Sequence, residues 1–242
     1  RAMMFLRTQP LPVTDTFSSS DEPAVERLRR ELPSPHLSRK LPDASERLPP
    51  VLVCNEIYRY CNRFLSGQMP TQARSYHQAR IDFLREIPAA LMPVVCLYFK
   101  EFGWGVKATL QDEFASLLFQ DPYKVSMDHV YAASSLIICD HPISTFQFAM
   151  ARDLPTLFFS APGIYDYNER GRHIMDILEQ AKICHSTPES AARHYCSIYD
   201  DIEAWWNSRD VLYARNIYKE NYVIISDDWQ RDWNLLLDSA FL

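Results

Sequence analysis

SLIICDHPISTFQFAMARDLPTLFFS, residues 135–160, decides the fold. Two short apolar runs, SLIICD (135–140) and PTLFFS (155–160), bracket TFQFAMAR, which reads as a helix. Continuous apolarity over five to seven residues predicts strands buried on both faces, as parallel strands are. A parallel pair needs a crossover connection, and the intervening helix supplies it. Working outward, VLVCN (51–55) and PVVCLYF (93–99) are further runs of the same kind. Helical patterns lie between them. TQARSYHQARIDFLREI (71–87) sets Ala73, His77, Ile81 and Leu84 along one side, and VKATLQDEFASLLF (106–119) aligns Leu110, Phe114, Leu117 and Leu118. After the last strand come ERGRHIMDILEQAKI (169–183), a short ICHS, and one long helix through PESAARHYCSIYDDIEAWW. Strand and helix in alternation imply right-handed crossovers and an α/β fold, a Rossmann-like parallel sheet flanked by helices. The stretch carrying Trp205, Trp206, Trp229 and Trp233 reads as a helical C-terminal extension packing back on the body.

Residues 1–50 differ. VTDTFSSSDEP is rich in Ser, Thr, Asp and Pro, and LPSPHLSRKLPDASERLPP carries five prolines, so 14–50 is expected to be a linker or partly ordered arm. PAVERLRREL within it has the makings of two or three helical turns. The division expected is therefore a remnant and Pro/Ser-rich linker over 1–50, and the Rossmann-like domain with its C-terminal helices over 51–242. The chain opens on Arg rather than Met, which suggests a piece of something longer.

Composition narrows the function classes. The 242 residues hold 47% hydrophobic and 23% charged residues, globular proportions, with a net charge of −6. An acidic chain is a poor partner for nucleic acid, whose binding relies on neutralising phosphates. No apolar run reaches membrane-spanning length, and RAMMFLRTQP lacks the apolar core and cleavage site of a secretory leader. The six cysteines form no C-x-x-C pair, and Cys54, Cys96 and Cys139 sit in apolar runs, so thiols without metal are expected. Five glycines form neither G-x-G-x-x-G nor a Walker motif, which excludes a dehydrogenase-type or P-loop reading.

In an open parallel sheet, ligands bind beyond the carboxyl ends of strands. The first candidate is therefore the loop Asp140, His141, Pro142, Ile143, Ser144, Thr145. Pro142 breaks the strand, and two hydroxyls and an imidazole stand where unpaired helix N–H groups can cradle an anion. The structural alternative is that Ser144 caps the helix and His141 is a satisfied loop histidine. A second candidate is Ser186-Thr187-Pro188-Glu189. It is a well-formed helix start, and Glu189 is also placed to accept hydrogen bonds from ribose hydroxyls. A third is Asn55-Glu56-Ile57-Tyr58-Arg59-Tyr60, where Arg59 and Arg63 suit an anionic group or simply the rim of a turn. The fourth is KEFGWG (100–105), where Gly103 and Gly105 permit a tight turn presenting Trp104 to a ligand or to the core. Asp166, Glu169, Arg170 and Arg172 complete the rim.

Taken together, LYFKEFGWGVKATL, SLIICDHPISTFQFAMARDLPTLFF and ILEQAKICHSTPESAARHYCSIYDDIEAWWNS resemble a family of bacterial surface-carbohydrate transferases. That family has an aromatic-Gly-Trp turn before a helix, a strand ending in Asp followed by a Ser/Thr-Thr-Phe run, a Pro-Thr strand, and a PE-x-AA helix leading to a Trp-Trp pair. NEIYRY and SYHQARIDFL resemble its earlier aromatic-Arg loop and helix, and the match covers roughly 51–240. Two positions depart from the pattern: a family arginine stands here as Cys96 or a neighbour, and a family glutamate as Phe148. The resemblance implies a lipopolysaccharide- or capsule-pathway transferase of glycosyltransferase-B architecture, of which this chain is the C-terminal, donor-holding half. His141-Pro142 is similar to the His-Pro motif of bacterial sialyl- and Kdo-transferases, where the histidine contacts the phosphate of a CMP-sugar.

Carried over, His141 is catalytic, His141, Ser144 and Thr145 hold the donor phosphate, and Glu189 holds the ribose. Asn55, Tyr58, Arg59, Gly103, Trp104, Asp140 and Arg170 form the cleft rim. The implied partners are a nucleotide-sugar donor, a glycan or lipid-linked acceptor, and an N-terminal Rossmann half in cis or on another chain. Neither cofactor, metal nor nucleic acid is implied. The expected location is cytoplasmic, with peripheral contact at the inner face of the plasma membrane. The alternative is a catalytically incomplete nucleotide-binding or interaction domain that works with a partner half.

Overall fold

The computed structural model describes residues 33–44, 47–59, 70–98, 102–121, 123–161 and 163–240. The helix expected within 23–32, Cys61 and Arg63 lie outside them. Five parallel strands form one sheet: β1 (Val51–Val53), β2 (Val94–Cys96), β3 (Ile137–Cys139), β4 (Thr156–Phe159) and β5 (Cys184–His185), in the order β2-β1-β3-β4-β5. Val53 pairs with Cys96 on one side and Cys139 on the other, and Cys139 with Phe158. The Rossmann-like parallel α/β sheet expected from the apolar runs is present. The strands are shorter than those runs, and ICHS supplies the fifth.

Side-chain alternation along the strands builds two cores. Val51, Val53, Ile137, Cys139 and Phe158 face one layer, with Phe146, Phe148, Ile174 and Tyr218. Leu52, Val95, Ile138, Leu157 and Phe159 face the other, with Phe83, Leu84, Ala191 and Tyr195. The helices sort accordingly, in chain order: α1 (Pro35–Ser38), α2 (Ala73–Arg85), α3 (Val106–Glu113), α4 (Met127–Ala133), α5 (Ser144–Ala151), α6 (Glu169–Gln180), α7 (Pro188–Ile198), α8 (Ile202–Trp206), α9 (Arg209–Tyr222) and α10 (Trp229–Ala240). Helices α1, α4, α5, α6 and α9 cover the first face, and α2, α3 and α7 the second.

Three elements differ from the sequence reading. The buried side of α2 is Ala73, Tyr76, Ala79, Arg80, Phe83 and Leu84, a face rotated from the expected one, so that His77 and Ile81 are only partly buried. Helix α3 stops at Glu113, because Phe114 leaves helical dihedrals at φ −131°, ψ 84°, and Leu118 is exposed. The expected long helix after Pro188 breaks at a single 3₁₀ turn, Tyr199–Asp201, and Asp201 caps the restart by accepting from the Ala204 N–H.

Residues 33–44 and 47–50 lie against the body. Leu37 is 2% exposed within the first core, Ser34 N–H donates to the Ile224 carbonyl at 2.9 Å, and Trp233 Nε1 donates to the Pro33 carbonyl at 2.7 Å.

Candidate functional site

Helices and strands put β2 on one side of β1 and β3 on the other. The carboxyl ends of β1 and β3 are therefore the topological switch point of the sheet, where open α/β folds form their ligand crevice. Asp140 is the first residue beyond β3, Asn55 the second beyond β1, and α2 reaches both through Tyr76 and Arg80.

Asp140 is 2% exposed and fully engaged. Its Oδ1 accepts from the Tyr76 hydroxyl at 2.6 Å, the Asn55 N–H at 3.1 Å and His141 Nδ1 at 2.7 Å, while Oδ2 accepts from Arg80 Nε at 2.5 Å. The Arg80 guanidinium, without solvent exposure, also donates to the Asn55 carbonyl and to His77 Nδ1, and lies 3.6 Å from Glu56. Burial alone would push the Asp140 carboxyl up. The Arg80 charge, the His141 hydrogen bond and charge and the Tyr76 hydrogen bond together outweigh it, holding the group well below the usual carboxylate range. Tyr76 is pushed far above its ordinary value, by burial first and by Asp140 second, so it remains a donor. His77 is drawn down to about 4, by burial and then by Arg80. Because Arg80 donates to Nδ1, the neutral His77 ring carries its proton on Nε2.

This network holds the His141 ring in place. With Nδ1 bound to an ionised carboxylate, Nε2 is the nitrogen left for a ligand. It accepts when the ring is neutral and donates when the ring is an imidazolium. Ser144 follows as the exposed first residue of α5, so it does not cap the helix. The first bond of that helix runs from Gln147 N–H to the Ile143 carbonyl at 3.1 Å, and the N–H groups of Ser144, Thr145 and Phe146 precede it. Thr145 departs from its expected role. It is 6% exposed and its hydroxyl accepts from Tyr131 at 3.1 Å, turned toward α4 and away from the crevice.

The other expected residues fall into separate groups. Trp104 Nε1 donates to the Ile57 carbonyl at 2.8 Å, Arg59 donates to the Gly103 carbonyl at 2.9 Å, and the Arg59 guanidinium lies 5.5 Å from the Trp104 ring centre. The turn needs its glycines: Gly103 and Gly105 have φ of +88° and +63°. Trp104 is thereby turned inward, beside a cavity of about 60 Å³ lined with His77, Arg80, Val106 and Leu110. Tyr58 and Arg59 stay at the surface above it. Glu189 sits in the first turn of α7, beyond β5, where Thr187 caps the helix by accepting from Ser190 N–H at 3.2 Å. Arg170 is drawn from the rim onto α9, donating to Asn221 Oδ1 at 2.9 Å. Cys96 and Phe148, the two positions that depart from the resembled pattern, are core residues, 3% and 0% exposed.

Sequence reasoning missed Tyr76, Arg80 and the buried role of Glu56. The signal was the stripe Ala73, Tyr76, Arg80, Phe83, Leu84, in which a charged residue occupies a position that spacing assigns to the core. Such a residue requires a buried partner. Among the described residues no group of three or more His, Cys, Asp or Glu is arranged to hold a metal ion, and no helix is long and apolar enough to cross a membrane.

The model of the LIC12162 family transferases matches residues 19–237. This chain belongs to that family. Among solved structures, the spinosyn rhamnosyltransferase SpnG is similar to this LIC12162 family transferase with 12% identity and a TM-score of 0.43. The match covers 80% of this chain and 48% of that one, so the chain spans about half the length of that structure. No curated protein matches.

Proposed function

We propose that this LIC12162 family transferase holds a nucleotide-activated sugar, CMP-linked on the His141-Pro142 resemblance, and passes the sugar to an acceptor hydroxyl. One observation carries the reading: Asp140, locked by Arg80, Tyr76 and Asn55 at the switch point, fixes His141 beside the opening of α5. The donor phosphate sits at that helix start, against the Ser144 hydroxyl and the first N–H groups, with His141 Nε2–H as a further donor. As the bond from sugar carbon to phosphate oxygen breaks, its electron pair becomes charge on the phosphate. Fixed donors and the helix dipole stabilise that charge without reorganising. The acceptor oxygen bonds to the sugar carbon and gives its proton to a base, which this reading places on an N-terminal Rossmann half in cis or on another chain. Glu189 takes the ribose hydroxyls two strands away, and Asp140, Arg80 and Tyr76 act as positioning residues. Thr145 acts by its backbone N–H, since its hydroxyl serves Tyr131. The setting is surface-polysaccharide synthesis, of the lipopolysaccharide or capsule kind, in the cytoplasm at the inner face of the membrane, with a glycan or lipid-linked acceptor.

The test is calorimetric titration of the chain and of His141→Ala with CMP, CDP, UDP and GDP. One nucleotide is expected to bind the unaltered chain and to bind the variant at least about tenfold more weakly, the loss of one charged hydrogen bond. Binding of none would leave a packed helix start and an interaction domain as the better reading.

A further inference from the structure

We infer that Tyr58 and Tyr98, with Phe102 between them, form a stacking platform for the pyranose ring of the acceptor. This rests on the donor reading above and extends it to the opposite side of His141. The three rings make a short column, with Phe102 centred 4.0 Å from Tyr58 and 5.7 Å from Tyr98, each pair within 35° of parallel. The outer rings remain 45% and 42% exposed, Tyr58 five residues beyond β1 and Tyr98 two beyond β2. The Arg59 bond to Gly103 and the Trp104 bond to Ile57 tie the residues beside Tyr58 to those beside Phe102.

Position decides the ligand. Along the carboxyl edge, Glu189 lies beyond β5 and Tyr98 beyond β2, each two strands from β3 and on opposite sides of it. At the usual spacing that is about 10 Å in each direction from His141. A nucleotide whose phosphate meets α5 and whose ribose meets Glu189 runs toward β5 and cannot also cover β1 and β2. What must arrive from the other side is the acceptor, whose hydroxyl oxygen attacks the donor sugar carbon, and a saccharide fits the chemistry of this surface. The C–H face of a pyranose packs on an aromatic ring, while its hydroxyls reach the phenol groups and the Arg59 guanidinium. Tyrosine joins an apolar face to a polar tip in this way at wet interfaces.

Saturation-transfer NMR on the whole chain tests this, using the methyl glycosides of glucose, galactose and N-acetylglucosamine. The unaltered chain, Tyr58→Ala and Tyr98→Ala are compared, and each is also titrated with CMP and UDP. At least one glycoside is expected to receive magnetisation through its ring protons, with affinity falling about five- to tenfold in each variant and nucleotide affinity holding within about twofold. Tyr58→Phe, which keeps the stack, is expected to retain the contact and controls for folding. The inference is overturned if no glycoside makes contact or if contact survives both alanine variants. It is also overturned if the variants weaken nucleotide instead, which would make the column a base platform. Glycoside contact without nucleotide binding by the unaltered chain would sink the donor reading and leave the platform standing.

Discussion

Arg80 and Asp140 meet as an ion pair with almost no solvent exposure, at 0% and 2% for the two side chains. Neither charge tolerates that burial alone, and each is the condition for the other. Removing one partner of such a pair costs about 3–5 kcal/mol, because an uncompensated charge stays behind. Arg80→Met is therefore expected to lose stability on that scale by urea denaturation, whereas Arg80→Met with Asp140→Asn recovers part of it. A second readout separates fold from site. The double variant is expected to fold yet bind nucleotide poorly, since a neutral amide no longer fixes the His141 ring.

A pH dependence follows from three histidines. His185 and His194 lie with ring centres 5.3 Å apart, and burial first, then neighbouring charge from His194 or Lys182, draws each down to about 4. His77 is drawn down to about 4 as well. Unfolded, each takes its proton near the ordinary value of about 6.5. Between roughly pH 6.5 and 4 the unfolded chain binds protons that the folded chain refuses, so stability is present above that window and is lost as pH falls through it. Melting at pH 5 is expected on the order of 5 °C below melting at pH 7.5. His185→Gln with His194→Gln is expected to flatten that slope.

The start of α7 carries two roles that separate cleanly. Thr187→Ala removes the cap on Ser190 N–H and is expected to cost about 1 kcal/mol of stability, with nucleotide affinity unchanged. Glu189→Gln is expected to do the reverse, weakening nucleotide while leaving the melting temperature nearly where it was. Equal loss of nucleotide in both variants would reduce Glu189 to part of the helix start.

Asp153 ties three helices at one turn. It holds a φ of +57°, its carboxylate takes Lys219 at 2.7 Å and Arg215 at 2.5 Å, and its carbonyl accepts from Trp206 Nε1 at 2.9 Å. Burial raises its carboxyl, but the Lys219 and Arg215 hydrogen bonds and charges prevail and lower it. Asparagine tolerates the left-handed region, so Asp153→Asn isolates the charge and is expected to cost about 1 kcal/mol. Asp153→Ala adds backbone strain and is expected to cost about 1 kcal/mol more. Denaturation at low and high salt checks it: the asparagine variant is expected to lose most of the salt dependence.

Much of the fold was legible because parallel strands buried on both faces leave unbroken apolar runs, and Val51–Val53, Ile137–Cys139 and Thr156–Phe159 are such runs. The loop after β3 was legible by position, since Pro142 ends a strand ahead of a helix. Arg80 was not. Period alone reads an arginine as solvent-facing, and its partner Asp140 lies 60 residues away on another element. Nor was the break at Tyr199–Asp201, where capping by Asp201 competes with helix continuation that the local composition permits equally well.

The arm and the C-terminal helix have a practical consequence for anyone cutting this chain. Pro33 and Trp233 are joined by a hydrogen bond although 200 residues separate them, and Ser38 accepts from the Ser226 N–H at 3.0 Å. The two ends of the described chain therefore act as one clasp. A fragment begun at Val51, where the prolines invite a cut, would lose the Leu37 plug and leave α10 without its seat, presenting bare apolar surface to other molecules. Expression boundaries belong ahead of residue 33, and tags at either end need a spacer long enough not to pry the clasp open.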